Sequence, residues 1–267
     1  MVDWAEECDV LVVGSGAGGC CGAYTAAREG LSVILVEASE QFGGTTAYSG
    51  GGGVWFPTNA VLRRAGDEDT IEDALTYYHA VVGDRTPREL QDAYVTGGAP
   101  LIDYLEQDDD LAFVAYPWPD YFGKRPRPAP PVAISPPVPL KVPDEPELNE
   151  SIRGPLGRER NGEPLPDILI GGRALIGRFL IALRKYPDVQ LHRNTPLEEL
   201  VVEDGGRGRG DRRTRRRTSR DPRTEGRRPR CRWVRSEPGD ADRVRRAGLG
   251  ARLDGGAVVE PREGTPR

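Results

Sequence analysis

The chain has 267 residues, of which 37% are hydrophobic, and this length suffices to bury a substantial core. It has no apolar run of about 18 residues, and its first residues are acidic, so the sequence excludes a membrane span and predicts a cytoplasmic protein. The four cysteines lack the spacing of a metal site or a disulfide framework, and we expect buried free thiols and no metal.

The net charge of −5 conceals two regions of opposite charge. Residues 1–205 carry 17 Lys and Arg against 33 Asp and Glu, whereas residues 206–267 carry 20 Arg against 9 Asp and Glu. This change of composition at about Gly205 divides the chain into two regions of different character.

The first forty residues predict a βαβ unit. Residues 8–13 form a short apolar run, which we expect to be a strand buried on both faces of a parallel sheet. Small side chains within residues 18–28 predict a helix that packs closely on that sheet, with Gly30 as its cap. Residues 32–37 predict the second strand.

The turn between the first strand and the helix satisfies the pattern G-x-G-x-x-G. Its residues are Gly14, Ser15, Gly16, Ala17, Gly18 and Gly19. Such a turn lets backbone N–H groups at a helix N-terminus bind a pyrophosphate, and Glu37, at the end of the next strand, can accept hydrogen bonds from ribose hydroxyls. The unit therefore predicts dinucleotide binding without distinguishing FAD from NAD.

Further along the chain, the pattern predicts a glycine-rich loop and then two helices. Residues 42–53 are too rich in glycine for a helix or strand interior, and close backbone approach to a ligand is their expected purpose. One helix is predicted over residues 70–82, and a second begins at the capping box of residues 86–89, with Pro87 at its first position.

The middle of the chain is rich in proline. Residues 117–146 contain 11 of the 24 prolines, which predicts an extended, irregular stretch at the start of a second domain. Helical spacing of apolar residues returns over 172–186, and residues 189–192 and 197–203 read as strands.

The two glycine loops together resemble those of a flavoprotein family, the one that holds fumarate reductase and 3-ketosteroid Δ1-dehydrogenase. The matching motifs are Gly14 to Gly19, then Val36-Glu37-Ala38, Gly43-Gly44-Thr45-Thr46, and Ser49-Gly50-Gly51-Gly52-Gly53-Val54 running into Trp55-Phe56-Pro57. The resemblance covers residues 8–205 and implies FAD. It also implies non-covalent binding, because members that attach the flavin carry a histidine ahead of the second glycine loop and this sequence has none.

The resemblance places the second glycine loop near the isoalloxazine and Leu197 near the adenine. The residues it implies for cofactor binding are Gly14, Ser15, Gly16, Ala17, Gly18, Gly19, Glu37, Ala38, Gly43, Gly44, Thr45, Thr46, Ser49, Gly50, Gly51, Gly52 and Leu197. The second loop has one glycine more than the three that are usual in the family.

Within the family, three segments look most similar to the ketosteroid dehydrogenase branch: Ser49-Gly50-Gly51-Gly52 leading to Trp55-Phe56-Pro57, Trp118-Pro119-Asp120-Tyr121, and Gly172-Arg173-Ala174-Leu175-Ile176. That branch removes a proton from the carbon beside a ketone and passes a hydride from its neighbour to flavin N5. The resemblance implies a catalytic role for Tyr121 and a small apolar ketone, of the steroid class, as substrate. It does not identify the electron acceptor.

The implied fold class is α/β, with a Rossmann-like FAD-binding domain of parallel sheet and helices. Residues 1–105 are expected to form its first part, residues 106–165 the beginning of an inserted substrate domain, and residues 166–205 the return to the FAD-binding domain. We expect residues 206–267 to be irregular or disordered.

Two other functions stay open. The first is a fumarate-reductase-like flavoprotein acting on a small unsaturated acid, for which Arg125 and Arg127 are candidate carboxylate ligands. The second is a non-catalytic protein whose basic tail binds nucleic acid. Trp233 is the only aromatic residue after Tyr186, so base stacking has little support and nucleic acid is a less favoured partner.

The arginine-rich tail suggests a changed reading frame. After residues 201–205 the family runs through another strand to an Ala-Gly-Gly-Phe-Glu segment, which is missing here. The codons CGN-TGG-GTN-CGN for residues 232–235, read one base later, permit Gly-Gly-Phe-Glu. Our hypothesis is that a frameshift, genuine or a sequencing error, replaces everything after about Gly205. We expect such a truncated chain to be unstable, to bind FAD poorly and to be inactive.

Sequencing the gene across the codons of Asp204 to Gly210 tests this hypothesis. We expect the shifted frame to continue as a coding sequence that contains the missing strand and the glycine motif. An unbroken frame that ends at Arg267, with no coding continuation in the shifted frame, would contradict the hypothesis.

Overall fold

The computed structural model describes residues 6–118, 122, 132–197 and 231–233 of the chain. The strands are β1 (Glu6–Cys8), β2 (Val10–Val13), β3 (Val33–Val36), β4 (Tyr116–Trp118), β5 (Val132–Ile134), β6 (Leu140–Lys141), β7 (Ile168–Leu169), β8 (Val189–His192) and β9 (Cys231–Trp233). The α-helices are α1 (Ala17–Arg28), α2 (Ala60–Arg64), α3 (Ile71–Val82), α4 (Arg88–Leu105), α5 (Pro146–Ser151), α6 (Leu156–Asn161) and α7 (Gly171–Arg184). Short 3₁₀ helices span Gly44–Tyr48 and Asp109–Leu111.

A parallel sheet in the order β2-β3-β8 carries the predicted βαβ unit. All four residues of the central strand β3 are buried, as expected for a strand covered on both faces. The same expectation is wrong for the first strand, because β2 lies at an edge of the described sheet and Val13 is 49% exposed. That strand is also split at Asp9, whose carboxylate accepts hydrogen bonds from the backbone and side chain of Ser32.

Helix α1 connects β2 to β3 and ends as predicted. Gly30 follows the helix at φ +75°, its N–H donates to the Ala27 carbonyl, and the Leu31 N–H donates to the Ala26 carbonyl. This is a Schellman arrangement, which glycine favours because the left-handed backbone strains other residues. The small side chains Cys20, Ala23 and Ala27 are buried within the hydrophobic core.

Helix α7 is the most buried of the described helices, with 12 of its 14 residues inside the protein. It contacts α1, the 3₁₀ helix after Gly43 and the 3₁₀ helix at Asp109–Leu111. Its Phe179 ring meets the Tyr24 ring edge-on at 6.3 Å. The same core includes residues of the 106–165 stretch, namely Leu111, Phe113, Val142, Leu148 and Ile152. The predicted domain boundaries stay a prediction.

Helices α3 and α4 pack against each other outside the sheet. The helix predicted over residues 70–82 is present as α3, with Thr70 as its cap, because the Thr70 hydroxyl accepts a hydrogen bond from the Asp73 N–H at 3.1 Å. The predicted capping box of α4 is wrong: the helix begins at Arg88, Pro87 stands at the cap position, and no side chain caps it. The Gln91 amide instead donates to the Gly83 and Thr86 carbonyls.

The proline-rich stretch contains more regular structure than the sequence indicates. Strands β4 and β5 form an antiparallel pair with Tyr116 opposite Ile134 and Trp118 opposite Val132. In the tail, where no regular element is predicted, the three described residues form β9, which pairs antiparallel with β1. Among the described helices, none is both long and apolar enough to cross a membrane.

Candidate functional site

The first glycine loop is built by backbone constraints between β2 and α1. Gly14 has φ +89°, and its N–H donates to the Val36 carbonyl at 2.8 Å, so the turn is tied to β3. A Cβ on Gly19 would lie 2.0 Å from the Gly14 carbonyl oxygen, far inside contact distance. These two glycines are therefore required by the fold of the turn itself.

The second glycine loop packs backbone to backbone on the start of α7. Gly52 has φ +57°, and a Cβ there would lie 2.4 Å from the Gly171 carbonyl carbon. A Cβ on Gly172 would lie 1.8 Å from the Thr46 carbonyl oxygen, and the Gly172 N–H donates to the Ser49 carbonyl at 2.8 Å. Glycines on both sides permit this approach, which fixes the loop against the most buried helix.

Two hydroxyl groups join the glycine loops to each other. The buried Ser15 hydroxyl accepts a hydrogen bond from the Gly43 N–H at 2.9 Å. The Thr46 hydroxyl accepts one from the Ala17 N–H at 3.0 Å. Gly16, the cap residue of α1, has no side chain, so Thr46 satisfies a free donor of the helix N-terminus from the other loop. The structure thus brings the two predicted cofactor loops together.

Glu37 lies at the centre of this arrangement, buried at the end of β3. Its Oε2 accepts hydrogen bonds from the Ser15 N–H, at 3.1 Å, and from the Ser15 hydroxyl. Its Oε1 accepts from the Ser39 N–H at 3.0 Å, and the Ser39 hydroxyl lies 2.9 Å away. That hydroxyl also lies 2.7 Å from the Gln41 carbonyl, and its single proton serves one acceptor at a time. When the proton turns to Gln41, Oε1 retains capacity for a ribose hydroxyl.

The hydrogen bonds also determine the charge of Glu37. Burial by itself would raise the pKa of the Glu37 carboxyl, but hydrogen bonds from Ser15 and Ser39 outweigh it and hold the pKa below its usual value. Burial, with smaller effects of Cys21 and Glu37, raises the pKa of the Cys20 thiol to about 12. Cys20 is therefore a protonated donor, to the Ser15 carbonyl at 3.1 Å, and not a reactive thiolate.

Four other glycines of the loops have no such explanation within the protein. Cβ atoms built on Gly18 and Gly50 meet nothing within 4 Å, and those on Gly16 and Gly51 meet only ordinary contacts at 3.5 and 3.8 Å. None of the four has a left-handed backbone. Their missing side chains leave free space along both loops, which fits a pyrophosphate at the N-terminus of α1 and a flat ring at the second loop.

The remaining predicted cofactor residues occupy three different settings. Gly44, with φ +49°, starts the 3₁₀ helix that contains Thr45, whose side chain is exposed. Ala38 is exposed directly after Glu37. The chain before Leu197 runs alongside, because the Thr195 N–H donates to the Glu37 carbonyl at 2.8 Å. Leu197 is half-buried, and Tyr121 lies outside the described residues.

Both histidines connect secondary-structure elements through a carboxylate. His79 Nε2 lies 2.6 Å from an Asp92 carboxylate oxygen and connects α3 to α4. His192 Nε2 lies 3.2 Å from a Glu6 carboxylate oxygen and connects β8 to β1. Cys20 is a buried free thiol, as expected, Cys8 is buried, and Cys21 is half-buried.

Sequence reasoning missed the contact between the second glycine loop and the β4–β5 hairpin. A Cβ on Gly53 would lie 2.6 Å from Ile134 Cδ1, so this additional glycine makes room for β5. Val54 and Ser135 exchange backbone hydrogen bonds at 2.9 and 3.3 Å. The Asn59 amide donates to the Ser135 hydroxyl at 3.1 Å. The fourth glycine of the loop was the only sequence signal for this contact.

Comparison with known proteins agrees with this geometry. The profile of the FAD binding domain family matches residues 9–229. A 3-oxosteroid 1-dehydrogenase of Rhodococcus opacus is 39% identical over 206 residues, which are 77% of this chain and 40% of that protein. A 4-oxocyclohexanecarboxylate 2-dehydrogenase of Sinomonas cyclohexanicum is 44% identical over 114 residues, 42% of this chain and 20% of that protein.

The similar solved structures include a 3-ketosteroid Δ1-dehydrogenase of Sterolibacterium denitrificans in complex with 1,4-androstadiene-3,17-dione, with a TM-score of 0.58 and 26% identity. The match covers 73% of this chain and 42% of that protein. The chain therefore spans about two-fifths of the length of such relatives.

Gly16 and Gly19 predict opposite results for one substitution. Gly16→Ala adds a methyl group where the protein has room but weakens the cap of α1, so we expect the free energy of unfolding to fall by less than about 1 kcal/mol while FAD binding weakens by about tenfold or more. Gly19→Ala forces the turn open and should lower the free energy of unfolding by about 2 kcal/mol or more. FAD affinity that is unchanged in Gly16→Ala would contradict the assignment of that space to the cofactor.

Glu37→Gln tests the pH dependence that the low pKa implies. The unfolded carboxyl takes up its proton first as the pH falls, so the ionised Glu37 stabilises the folded protein fully above about pH 4.3. The glutamine amide also meets N–H donors, and we expect a loss of about 2 kcal/mol at pH 7. This difference from the wild type should shrink below about pH 4. Urea unfolding at a series of pH values checks this, and a difference that grows on acidification would contradict it.

Proposed function

Since the chain belongs to the FAD binding domain family, we propose that it is part of an oxidoreductase that dehydrogenates an apolar ring ketone. The cofactor of this family is FAD, and the two joined glycine loops with Glu37 fit its pyrophosphate and ribose. The proposed substrate class is a ketosteroid. The proposed reaction removes a proton beside the ketone and a hydride from the neighbouring carbon.

The observation that carries the substrate class is the aromatic face of the β4–β5 hairpin beside the second glycine loop. Tyr116 and Trp118 are 52% and 37% exposed, and their rings lie 6.1 Å apart. The residue opposite Tyr116 is Ile134, which packs on Gly53. An exposed pair of rings next to the loop assigned to the isoalloxazine suits an apolar substrate better than a small charged one.

The relatives support the same chemistry. The R. opacus protein is named for an oxosteroid, and the S. cyclohexanicum protein for a ring ketone that bears a carboxylate. The two names share an oxo group on a ring and its dehydrogenation. For this chain we propose the steroid, because the R. opacus protein matches over the longer part of it.

The residues of this chain divide the work between binding and proton transfer. Bound FAD supplies the hydride acceptor. The N-terminus of α1, with Ser15, Thr46 and Glu37, holds the adenosine and pyrophosphate, and residues 49–52 support the ring. Tyr121, in the Asp-Tyr pair after β4, is proposed as the proton-transferring residue. We propose that residues 106–165 contribute the hairpin to the substrate side.

The fumarate-reductase-like alternative requires a cationic site for a small acid. Its candidates, Arg125 and Arg127, lie outside the described residues. Of the two buried arginines on α7, Arg178 donates to three carbonyls. Arg173 donates through Nη2 to Asn149 and Ile152, and its buried Nε and Nη1 have no partner among the described residues. The exposed aromatic rings of the hairpin favour the ketone.

The proposal is tested by flavin absorbance. We expect the 267-residue chain to bind FAD poorly, so the frame-restored gene product is purified beside it and both are titrated with FAD. Anaerobic addition of 4-androstene-3,17-dione should bleach the visible flavin band, because hydride transfer reduces the ring. Gly16→Ala is the control that should lose flavin.

The outcomes separate the candidate functions. Bleaching by the steroid and not by succinate supports the proposal. Bleaching by succinate alone would establish the alternative, and a flavin band that no ketone bleaches would overturn the proposed reaction. Salt-sensitive nucleic-acid binding that disappears on deleting residues 206–267 would favour the third function.

A further inference from the structure

Pairing in the β4–β5 hairpin extends beyond the two strands themselves. The same register continues with Phe113 opposite Pro137. The Val138 N–H donates to the Ala112 carbonyl and the Val114 N–H donates to the Pro136 carbonyl, both at 3.0 Å. Pro136, Pro137 and Pro139 have no N–H group, so this side of the ladder is short of donors. The base of the hairpin therefore needs hydrogen-bond donors from elsewhere.

Arg178 of α7 supplies those donors. Its Nε donates to the Val138 carbonyl at 2.7 Å, its Nη2 to the Pro139 carbonyl at 3.3 Å, and its Nη1 to the Asp110 carbonyl at 2.8 Å. Continuing the register would place Asp110 opposite Leu140, but Leu140 pairs with Leu169 in β6 and β7. One guanidinium thus bonds to the 3₁₀ helix that precedes β4 and to the segment that follows β5, at the point where their ladder ends.

The position of Arg178 indicates a purpose beyond packing. It is only 9% exposed, and all three of its hydrogen bonds go to backbone carbonyl oxygens. The buried cation therefore serves to bind the backbone at the base of the hairpin. Burying an arginine in this way is costly unless its donors are used, and hydrogen bonds from a charged donor are the strong ones. The burial of this side chain lowers its pKa, which agrees with a desolvated cation.

The N-terminus of the same helix contacts the second glycine loop. Gly171 and Gly172 contact residues 49 and 50, and Arg178 follows Gly172 by six positions, or about 9 Å along a rigid helix. The hairpin touches the glycine loop directly through Ile134 on Gly53. The second glycine loop thus contacts α7, Arg178 of α7 binds the base of the hairpin, and the hairpin contacts the glycine loop again.

We propose that Arg178 is a positioning residue: by fastening the base of the hairpin to α7, it sets where Tyr116 and Trp118 stand relative to the second glycine loop. The arginine itself touches neither cofactor nor substrate in this proposal and acts through the hairpin. Its effect on substrate rests on the proposed function, whereas its effect on the hairpin does not.

The first experiment measures amide hydrogen exchange in the full 267-residue chain. Arg178→Met keeps the apolar stem and removes the donors, and we expect exchange at residues 112–118 and 132–138 to become about tenfold faster. Arg173→Met is the matched control, because Arg173 is a second buried arginine of α7 that bonds to Asn149 and Ile152 instead. It should speed exchange near residues 149–153 and leave the hairpin unchanged.

Arg178→Lys is the second variant. Lysine retains a buried cation with hydrogen-bond donors but lacks the planar guanidinium. We therefore expect it to recover part of the hairpin's protection from hydrogen exchange, and to fold even if the methionine variant does not. Hairpin exchange that equals the wild type in both Arg178 variants, or that changes equally in Arg173→Met, would overturn the proposal.

The second readout uses whichever gene product shows steroid-dependent bleaching. Arg178→Met should leave the FAD affinity within about twofold and raise the steroid concentration for half-maximal bleaching by about tenfold, with Arg178→Lys between the two. Loss of FAD affinity to the same extent would show a merely structural role and overturn the proposal. If no product bleaches, the proposed function fails, and hydrogen exchange alone decides the inference about the hairpin.

Discussion

The site depends on the backbone contact between the first residues of α7 and the second glycine loop. Gly172 lies so close to the Thr46 carbonyl, and Gly52 so close to Gly171, that no side chain fits on either. Because α7 is buried along most of its length, this contact transfers the rigidity of the core to a loop that is otherwise too rich in glycine to hold its shape. Thr46 then carries the position of this loop to the N-terminus of α1 through the Ala17 N–H. The two halves of the predicted cofactor site are in this way positioned by one helix.

Glu37, a predicted cofactor residue, also stabilises the structure of the protein itself. A carboxylate at the end of the second strand is what a ribose requires, but here it is bound on both oxygens by Ser15 and Ser39. These hydrogen bonds outweigh the cost of burial and keep the group ionised, so the charge is ready before any ligand arrives. Ser15 in turn accepts from Gly43, which links the carboxylate to the second glycine segment. A change at Glu37 therefore alters the shape of the loops as well as one ligand contact.

The glycines separate into two groups by physical cause. Gly14, Gly19, Gly43 and Gly52 are fixed by a left-handed backbone or by a neighbouring atom, whereas Gly16, Gly18, Gly50 and Gly51 face free space. Gly53 belongs to neither group, since its space is taken by Ile134 of the hairpin. The additional glycine of the loop thus connects the FAD-binding part of the chain to the aromatic strands, and Arg178 fastens the same strands from the other side.

The sequence by itself determined the features that depend on neighbours along the chain. The βαβ unit, the turn at Gly14 and the end of α1 at Gly30 follow from apolar periodicity and from backbone preferences within a few residues. Tertiary structure decided the rest. Four features depend on residues far apart in sequence. They are the edge position of β2, the start of α4 beyond the expected capping box, the hydrogen bond between Thr46 and Ala17, and the hydrogen bonds from Arg178 to the base of the hairpin. No local pattern encodes such contacts, because they arise only when the packed core brings the separate segments to the same place.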